Sequence, residues 1–391
     1  MSDPKTVRAF LEDRHVELAD RLAEFAAREI APLPEPADDA AARVQAREIM
    51  KALGADGWFA PIVDQDFRAC SLIREGLAAA SPLADAVFAL QALSSTPLVL
   101  AGSEELKNRW LPAMSAGRAM GAFAMTEVEA GSDVGSMRTS AKRDGDDYIL
   151  NGTKTLISNA GIADFYTVFA STDASEGSKG ISCFVVPAET PGLEFVKPQV
   201  LSAPHPLGEL AFRDCRVPES TRLGEEGAGF KLGMATLDRL RATVAAAACG
   251  MAERALQEAI DHAVRRKQFG KPLAEFQLTQ QKIARMATDL AAARLLVYRA
   301  VWEKDLGADR VTVEAAMAKA FATEAAQRIV DDAVQILGGR GVLADHPVDR
   351  LYRSVRALRI YEGATEIQQL IIGAHLTQAA RGTEKAKRKG N

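Results

Sequence analysis

The chain has 391 residues, 48% of them hydrophobic and 26% charged, the balance of a globular protein with room for two or three domains and a core wide enough to enclose a large ligand. Its 48 basic and 52 acidic residues leave a net charge of −4, which gives no electrostatic ground for a nucleic-acid or membrane partner. Four scattered cysteines (Cys70, Cys183, Cys215, Cys249) and five dispersed histidines lack ligand spacing, so no metal site is expected and the thiols read as structural groups in a reducing cytoplasm.

The first 20 residues are charged and lack the apolar stretch of a secretion signal. No run of about 18 apolar residues follows, so no membrane span is expected. Residues 1–122 read as a helical domain. Leu18, Leu22 and Phe25 recur at helical spacing within Leu11–Glu29, and Arg43–Leu53 repeats the pattern. Pro32, Pro34 and Pro36 separate the two. Shorter helices are predicted over Ser71–Ala80 and Asp85–Leu93, the second stopped by Ser94-Ser95-Thr96-Pro97.

Residues 123–224 change character. Phe165–Phe169, Ile181–Val186 and Leu210–Phe212 are short and rich in β-branched or aromatic residues. Asn151-Gly152 stands between two such runs and predicts a hairpin turn. The segment reads as an antiparallel β-barrel or sandwich. Residues 225–391 return to helix, in Ala242–Arg265, Leu278–Lys304 and Val313–Leu337, the last stopped by Gly338-Gly339. Frequent alanines permit the close helix approach of a four-helix bundle. The basic tail Lys385–Lys389 reads as a solvated end.

Five segments carry candidate chemistry. In Phe123–Asp133, Thr126-Glu127 leads to the turn Gly131-Ser132-Asp133, which serves either a ligand or a strand cap. In Lys154–Asn159, strand alternation places Lys154, Leu156 and Ser158 on one face, an apolar and a hydroxyl group together. Arg265–Gly270 closes a helix with cations that either clamp phosphate or complement the helix terminus. Gln335–Gly341 offers glycines for close backbone approach, or a plain helix stop. In Leu358–Gln368, Glu362 sits among apolar residues, either a paired core ion or a base.

Together and in this order, from about Leu11 to Leu376, these segments resemble the acyl-CoA dehydrogenases. The resemblance implies a mainly helical α+β fold: an N-terminal helical domain, a middle β domain and a C-terminal four-helix bundle. It implies FAD as cofactor, an acyl-CoA substrate, electron-transfer flavoprotein as acceptor, and a homotetramer or homodimer. On the family pattern Phe123, Met125, Thr126, Gly131, Ser132, Leu156 and Ser158 line the flavin site, with Ala364 and Glu366 beside the cofactor. Arg266, Gln268, Phe269, Gln335, Gly338 and Gly339 match positions that hold the FAD of a neighbouring subunit. Ser132, Asp238, Arg241, Tyr361 and Gly363 fall beside the substrate. Glu362 is the implied base: it takes the α-proton while the β-hydrogen leaves as hydride to the flavin, and burial is expected to raise its pKa. Leu240 occupies the alternative base position and cannot serve.

The chain departs from the family pattern in places. Leu156 stands where Trp is common, Ser158 for Thr, Val128 for Pro, Glu366 for Gln and Ser354 for Asp. Near Asp64–Phe67 the family's longer Gly-rich loop is absent. Ala86–Leu93, which contributes to the acyl pocket in the family, holds no Lys, Arg or His, so an apolar acyl group is expected rather than a dicarboxylyl one. Three rival readings are an acyl-CoA oxidase, a flavin monooxygenase relative on the same fold, and a non-catalytic CoA- or flavin-binding protein; the intact Glu362 weighs against the last two.

Overall fold

The computed structural model describes residues 4–389, with side chains from 5 to 378. Helices α1 (Asp13–Phe25), α2 (Asp39–Ala55), α3 (Ala60–Asp64), α4 (Phe67–Ala80), α5 (Pro82–Ala101) and α6 (Glu104–Ser115) come first. Strands β1 (Gly121–Ala124), β2 (Ser140–Asp144), β3 (Asp147–Ser158), β4 (Phe165–Ser171), β5 (Ile181–Pro187), β6 (Leu193–Pro198) and β7 (Leu207–Pro218) follow. The rest is helical: α7 (Gly229–Arg265), α8 (Gln277–Asp305), α9 (Thr312–Leu337), α10 (Pro347–Leu358) and α11 (Thr365–Lys389). A small hairpin, β8 (Lys267–Gln268) and β9 (Lys271–Pro272), separates α7 from α8. The tail Lys385–Lys389 forms the end of α11, and its side chains lie outside the described residues. Contacts divide the chain into two compact units.

One unit comprises Glu24–Asp66 and Ala80–Leu240 and is built on the sheet. The strand order is β1-β4-β2-β3-β7-β6, with β5 on β4. Most pairs are antiparallel, but β1 runs parallel to β4. Parallel neighbours need a crossover, and the excursion through β2 and β3 supplies it. Strand β4 is apolar on both faces because both are covered. Tyr166, Val168 and Ala170 face one core with Leu150, Phe184 and Phe212, while Phe165 and Phe169 face another with Leu98 and Trp110. All four cysteines are buried free thiols.

Two sequence expectations fail here for local reasons. Helix α5 does not stop at Ser94–Pro97; it continues to Ala101 with Pro97 inside. The hydroxyls of Ser94 and Thr96 donate back to Leu90 O and Ala92 O, both at 2.8 Å, so these residues satisfy themselves within the helix. The same helix is long and apolar enough to cross a membrane by length and composition, with a mean hydropathy of 1.5 in its most apolar window, which is 78% buried as in a core helix. Nor is Asn151-Gly152 a turn. The β2–β3 hairpin closes at Gly145 (φ 65°), and β3 runs through Gly152 (φ 147°) with a register shift against β7. Asn151 is used across the ladder, its amide bonded to Asp214 Oδ1 at 3.0 Å.

The other unit holds the stretch through Ala23, Phe67–Ala79, and the chain from Arg241 onward. Helix α9 packs against α8, α10 and α11. Its Ala315, Ala316, Ala318, Ala322, Ala325 and Ala333 are fully or almost fully buried, which is what brings these helices close. Arg294 on α8 joins Glu75 at 2.6 Å and Glu253 at 2.9 Å, and Tyr298 donates to Glu75 at 2.7 Å. Helix α9 stops as expected at Gly338, whose φ of 60° suits glycine.

Candidate active site

In the sheet unit, the candidate residues converge where the end of β1 meets a bulge in β3. Thr126 O accepts the Thr155 amide at 3.0 Å, which brings Met125 and Thr126 beside Leu156 and Ser158. The expected strict alternation of β3 does not hold. Register against β7 shifts between Lys154 and Ile157, and Leu156 takes φ 55° and turns its side chain 55% into solvent. Lys154 is instead fully buried, 2.8 Å from Glu127 Oε1 and 3.0 Å from Met125 O. Burial would raise the Glu127 carboxyl, but Lys154 and the amides of Arg138 and Thr139 hold it below its ordinary value. Phe123 packs on Phe169 at 4.9 Å, while Gly131 and Ser132 are exposed in the following turn. Helix α7 passes close by at Gly233, where a Cβ would fall 2.3 Å from Met125 Cε. Asp238 lies half-buried further along α7.

Two residues that the sequence did not mark support this bulge. Gln199 accepts the Leu156 amide at 2.7 Å and donates to Thr155 Oγ1 at 2.8 Å. His205 Nε2 lies 2.7 Å from Ser158 Oγ. Burial lowers the pKa of His205 to about 4, with Asp39 opposing and Arg43 reinforcing the shift, so the imidazole is neutral at physiological pH. The result is an apolar side chain, two hydroxyls and a backbone edge on one accessible patch. A planar ring with polar edges needs that combination.

In the helical unit, Glu362 lies in the connection between α10 and α11. It takes φ 53° and Gly363 takes φ 92°. Glu362 is half-buried with Oε2 enclosed, Tyr361 is 39% exposed, Ala364 is half-buried and Glu366 is exposed. The carbonyls behind the carboxylate are held from three sides. Arg241 Nε donates to Glu362 O at 3.4 Å. Lys319 Nζ donates to Gly363 O at 2.7 Å, and Gln368 Nε2 donates to the same oxygen at 2.9 Å. Glu324 accepts from Arg359 at 2.7 Å and from Thr365 at 2.8 Å, tying both shoulders of the loop. Lys319, Gln368 and Glu324 were not singled out from sequence. The readable signal was a lone cation on the alanine face of α9. Leu240 is a buried leucine, as its position required.

The third group surrounds the end of α7, also in the helical unit. Arg266 and Gln268 are exposed, and Phe269 is 94% exposed at φ 49°. Gln335, Gly338 and Gly339 are exposed at the end of α9. Arg265 and Arg266 line a pocket of about 440 Å³ with Glu258, His262, Leu337, Arg340 and His346. Burial first, then Arg340, Arg266, His346 and Arg265, lowers the pKa of His262. Sequence reading missed His262, Arg340 and His346, although His262 stands one helical turn before Arg266. Arginine donors converging beside open glycines suit a diphosphate. Each taken by itself, the patch at the β3 bulge fits a flavin ring and this pocket fits a diphosphate, two parts of FAD.

Comparison with known proteins points to one family. The acyl-CoA dehydrogenase N-terminal, middle and C-terminal domain models match residues 12–118, 122–215 and 227–377. The chain is 41% identical over 378 residues to the 3-(aryl)acrylate reductase of Clostridium sporogenes (strain ATCC 15579), covering 94% of this chain and 99% of that protein. Butyryl-CoA dehydrogenase from Megasphaera elsdenii superposes with a TM-score of 0.88 at 35% identity, covering 94% of this chain and 99% of the other. A chain from a structure of the electron transferring flavoprotein of Acidaminococcus fermentans gives a TM-score of 0.89 at 37% identity, covering 94% and 98%.

Proposed function

The chain belongs to the acyl-CoA dehydrogenase family, and from that premise we propose that it removes two hydrogens across the α,β bond of an acyl-CoA thioester with Glu362 as base, and passes the electrons to an electron-transfer flavoprotein. It is an FAD-dependent oxidoreductase acting on a CH–CH bond. Bound FAD supplies the acceptor for the β-hydride. Glu362 takes the α-proton onto a carboxylate oxygen, and the thioester becomes the enoyl-CoA. Thr126, Leu156 and Ser158 hold and orient the ring, and Arg266 and Arg340 hold the diphosphate of a neighbouring subunit's cofactor in a homotetramer. The observation that carries the reading is the Glu362 loop: a carboxylate at positive φ, with one oxygen enclosed and the following carbonyls tied.

The acyl group is apolar. Residues 86–93 of α5 are almost all buried and carry no cation to meet a distal carboxylate. The Clostridium sporogenes relative is named for reduction of a 3-arylacrylate, the reverse sense of the same bond change, so aryl thioesters belong among the candidates beside straight and branched ones. Anaerobic titration of the FAD-loaded protein with these classes should bleach the flavin band with one of them. No bleaching by any thioester would overturn the dehydrogenase reading. Glu362→Gln should keep FAD and bind acyl-CoA but lose turnover by about 10²–10⁴-fold. Turnover near wild type in that variant would remove Glu362 from its role.

A further inference from the structure

Buried lysines are expensive, and α9 carries one where a methionine would fill the same space. Lys319 has no exposed surface. Its neighbours on the helix are alanines, yet its ammonium leaves the apolar stripe to reach the loop of Glu362. There it donates to Gly363 O at 2.7 Å, beside the Gln368 amide at 2.9 Å on the same oxygen. The charged groups acting on it are the Glu362 carboxylate, Arg241 on α7, Glu324 on α9 and Glu366 on α11. Burial lowers its pKa to about 8, and Glu362 is the leading influence that resists this fall.

The loop needs such a hold. A glutamate in the left-handed region is strained and persists only where its surroundings over-determine it. A Cβ on Gly363 would lie 2.4 Å from Gln368 Nε2, so the clamp closes directly on the backbone. The two peptides that follow the Glu362 Cα are the ones held, and they govern where its carboxylate points. Gln368 and Arg241 donate to the carbonyl of Glu362 itself, and Lys319 donates to the next one, Gly363 O.

We infer that Lys319 is a positioning residue for Glu362, holding the Gly363 carbonyl so that the carboxylate stays aimed at the α-carbon of the thioester; the inference rests on Glu362 being the base. The action is indirect: Lys319 touches the loop backbone and acts through Glu362. Its loss should therefore slow proton removal while leaving cofactor and substrate binding in place.

The test uses the full-length, FAD-loaded protein as wild type, Lys319→Met, Lys319→Arg and Glu362→Gln. Lys319→Met should lower kcat about 10–100-fold, as a small misplacement of a catalytic group does, while FAD content and KM change less than about threefold. Amide hydrogen exchange read by mass spectrometry should rise in the peptide spanning 359–366 and stay unchanged in the rest of α9. Lys319→Arg keeps a buried donor and should recover at least part of the loss in kcat. Wild-type kcat and wild-type exchange in Lys319→Met would overturn the inference, as would faster exchange spread along the whole of α9. Should Lys319→Met not fold, Lys319→Leu carries the same test, since it too removes the donor and leaves an apolar side chain in its place. An active Glu362→Gln variant would instead fail the underlying reading, whatever Lys319 does.

Discussion

Lys154 and Glu127 form a buried ion pair directly behind the candidate cofactor face. Lys154 is fully buried and Glu127 only 8% exposed, with 2.8 Å between Nζ and Oε1. The lysine also holds Met125 O, so the pair fixes the backbone on both sides of Thr126. Removing one partner strands the other. Lys154→Met should therefore cost about 3–5 kcal/mol in urea unfolding, while Lys154→Met with Glu127→Gln should recover most of that loss. A double variant no more stable than the single one would show that the pair contributes little. The sequence offered Lys154 as a partner of Leu156 and Ser158 on one face, because period-two alternation is the only rule a strand sequence displays. The bulge that turns Leu156 outward and Lys154 inward depends on Gln199, which lies more than 40 residues away. The local motif of Glu362 left it open as a core ion or a base, and only the resemblance over all five segments proposed it as the base; the donors to its loop come from α7, α9 and α11 and are not marked in that motif.

At the scale of elements, the long helices were legible because their apolar stripes and glycine stops are local. Two elements were not. Helix α5 survives Ser94–Pro97 because its hydroxyls cap their own carbonyls and the surrounding core buries the whole stretch. Strand β3 absorbs Asn151-Gly152 because Thr139 leaves room for nothing larger than hydrogen. A Cβ on Gly152 would meet Thr139 Oγ1 at 2.6 Å, and its φ of 147° is strained for other residues. Gly152→Ala should accordingly destabilise the protein by about 1–3 kcal/mol, the scale of a strained backbone position. Gly145→Ala adds a Cβ that meets nothing within 4 Å, so its penalty comes from backbone alone and should be the smaller of the two. Thermal unfolding of both variants checks the order; Gly145→Ala falling further would place the critical turn elsewhere.

For the whole molecule, the order of helical, β and helical segments and the family motifs were legible, while the buried charges were not, because burial is decided by partners distant in sequence. Those charges govern stability at alkaline pH. Lys154 and Lys319 each hold a proton up to the ordinary 10.5 in the unfolded chain but only to about 8 in the fold. Between these values the unfolded chain binds more protons, so raising the pH through this window favours the fold. Each displacement is worth on the order of 3 kcal/mol. Buried thiols and phenols act the other way, Tyr148 and Tyr166 among them. Burial raises Cys215 from 9.0 to about 11, lifts Cys183 and Cys249 well above 9.0, and lifts Tyr298 well above 10.0. Their unfolded forms lose protons first, so stability falls as the pH climbs past about 9. The unfolding free energy of the wild-type protein should thus rise from about pH 8, pass a maximum near pH 9 and decline. Lys154→Met and Lys319→Met should each lower the rising limb and leave the decline intact. Urea unfolding measured across this range decides it: a wild-type curve that falls monotonically from about pH 8, or variants that keep the full rise, would mean that the two lysines keep their protons in the fold as they do in water.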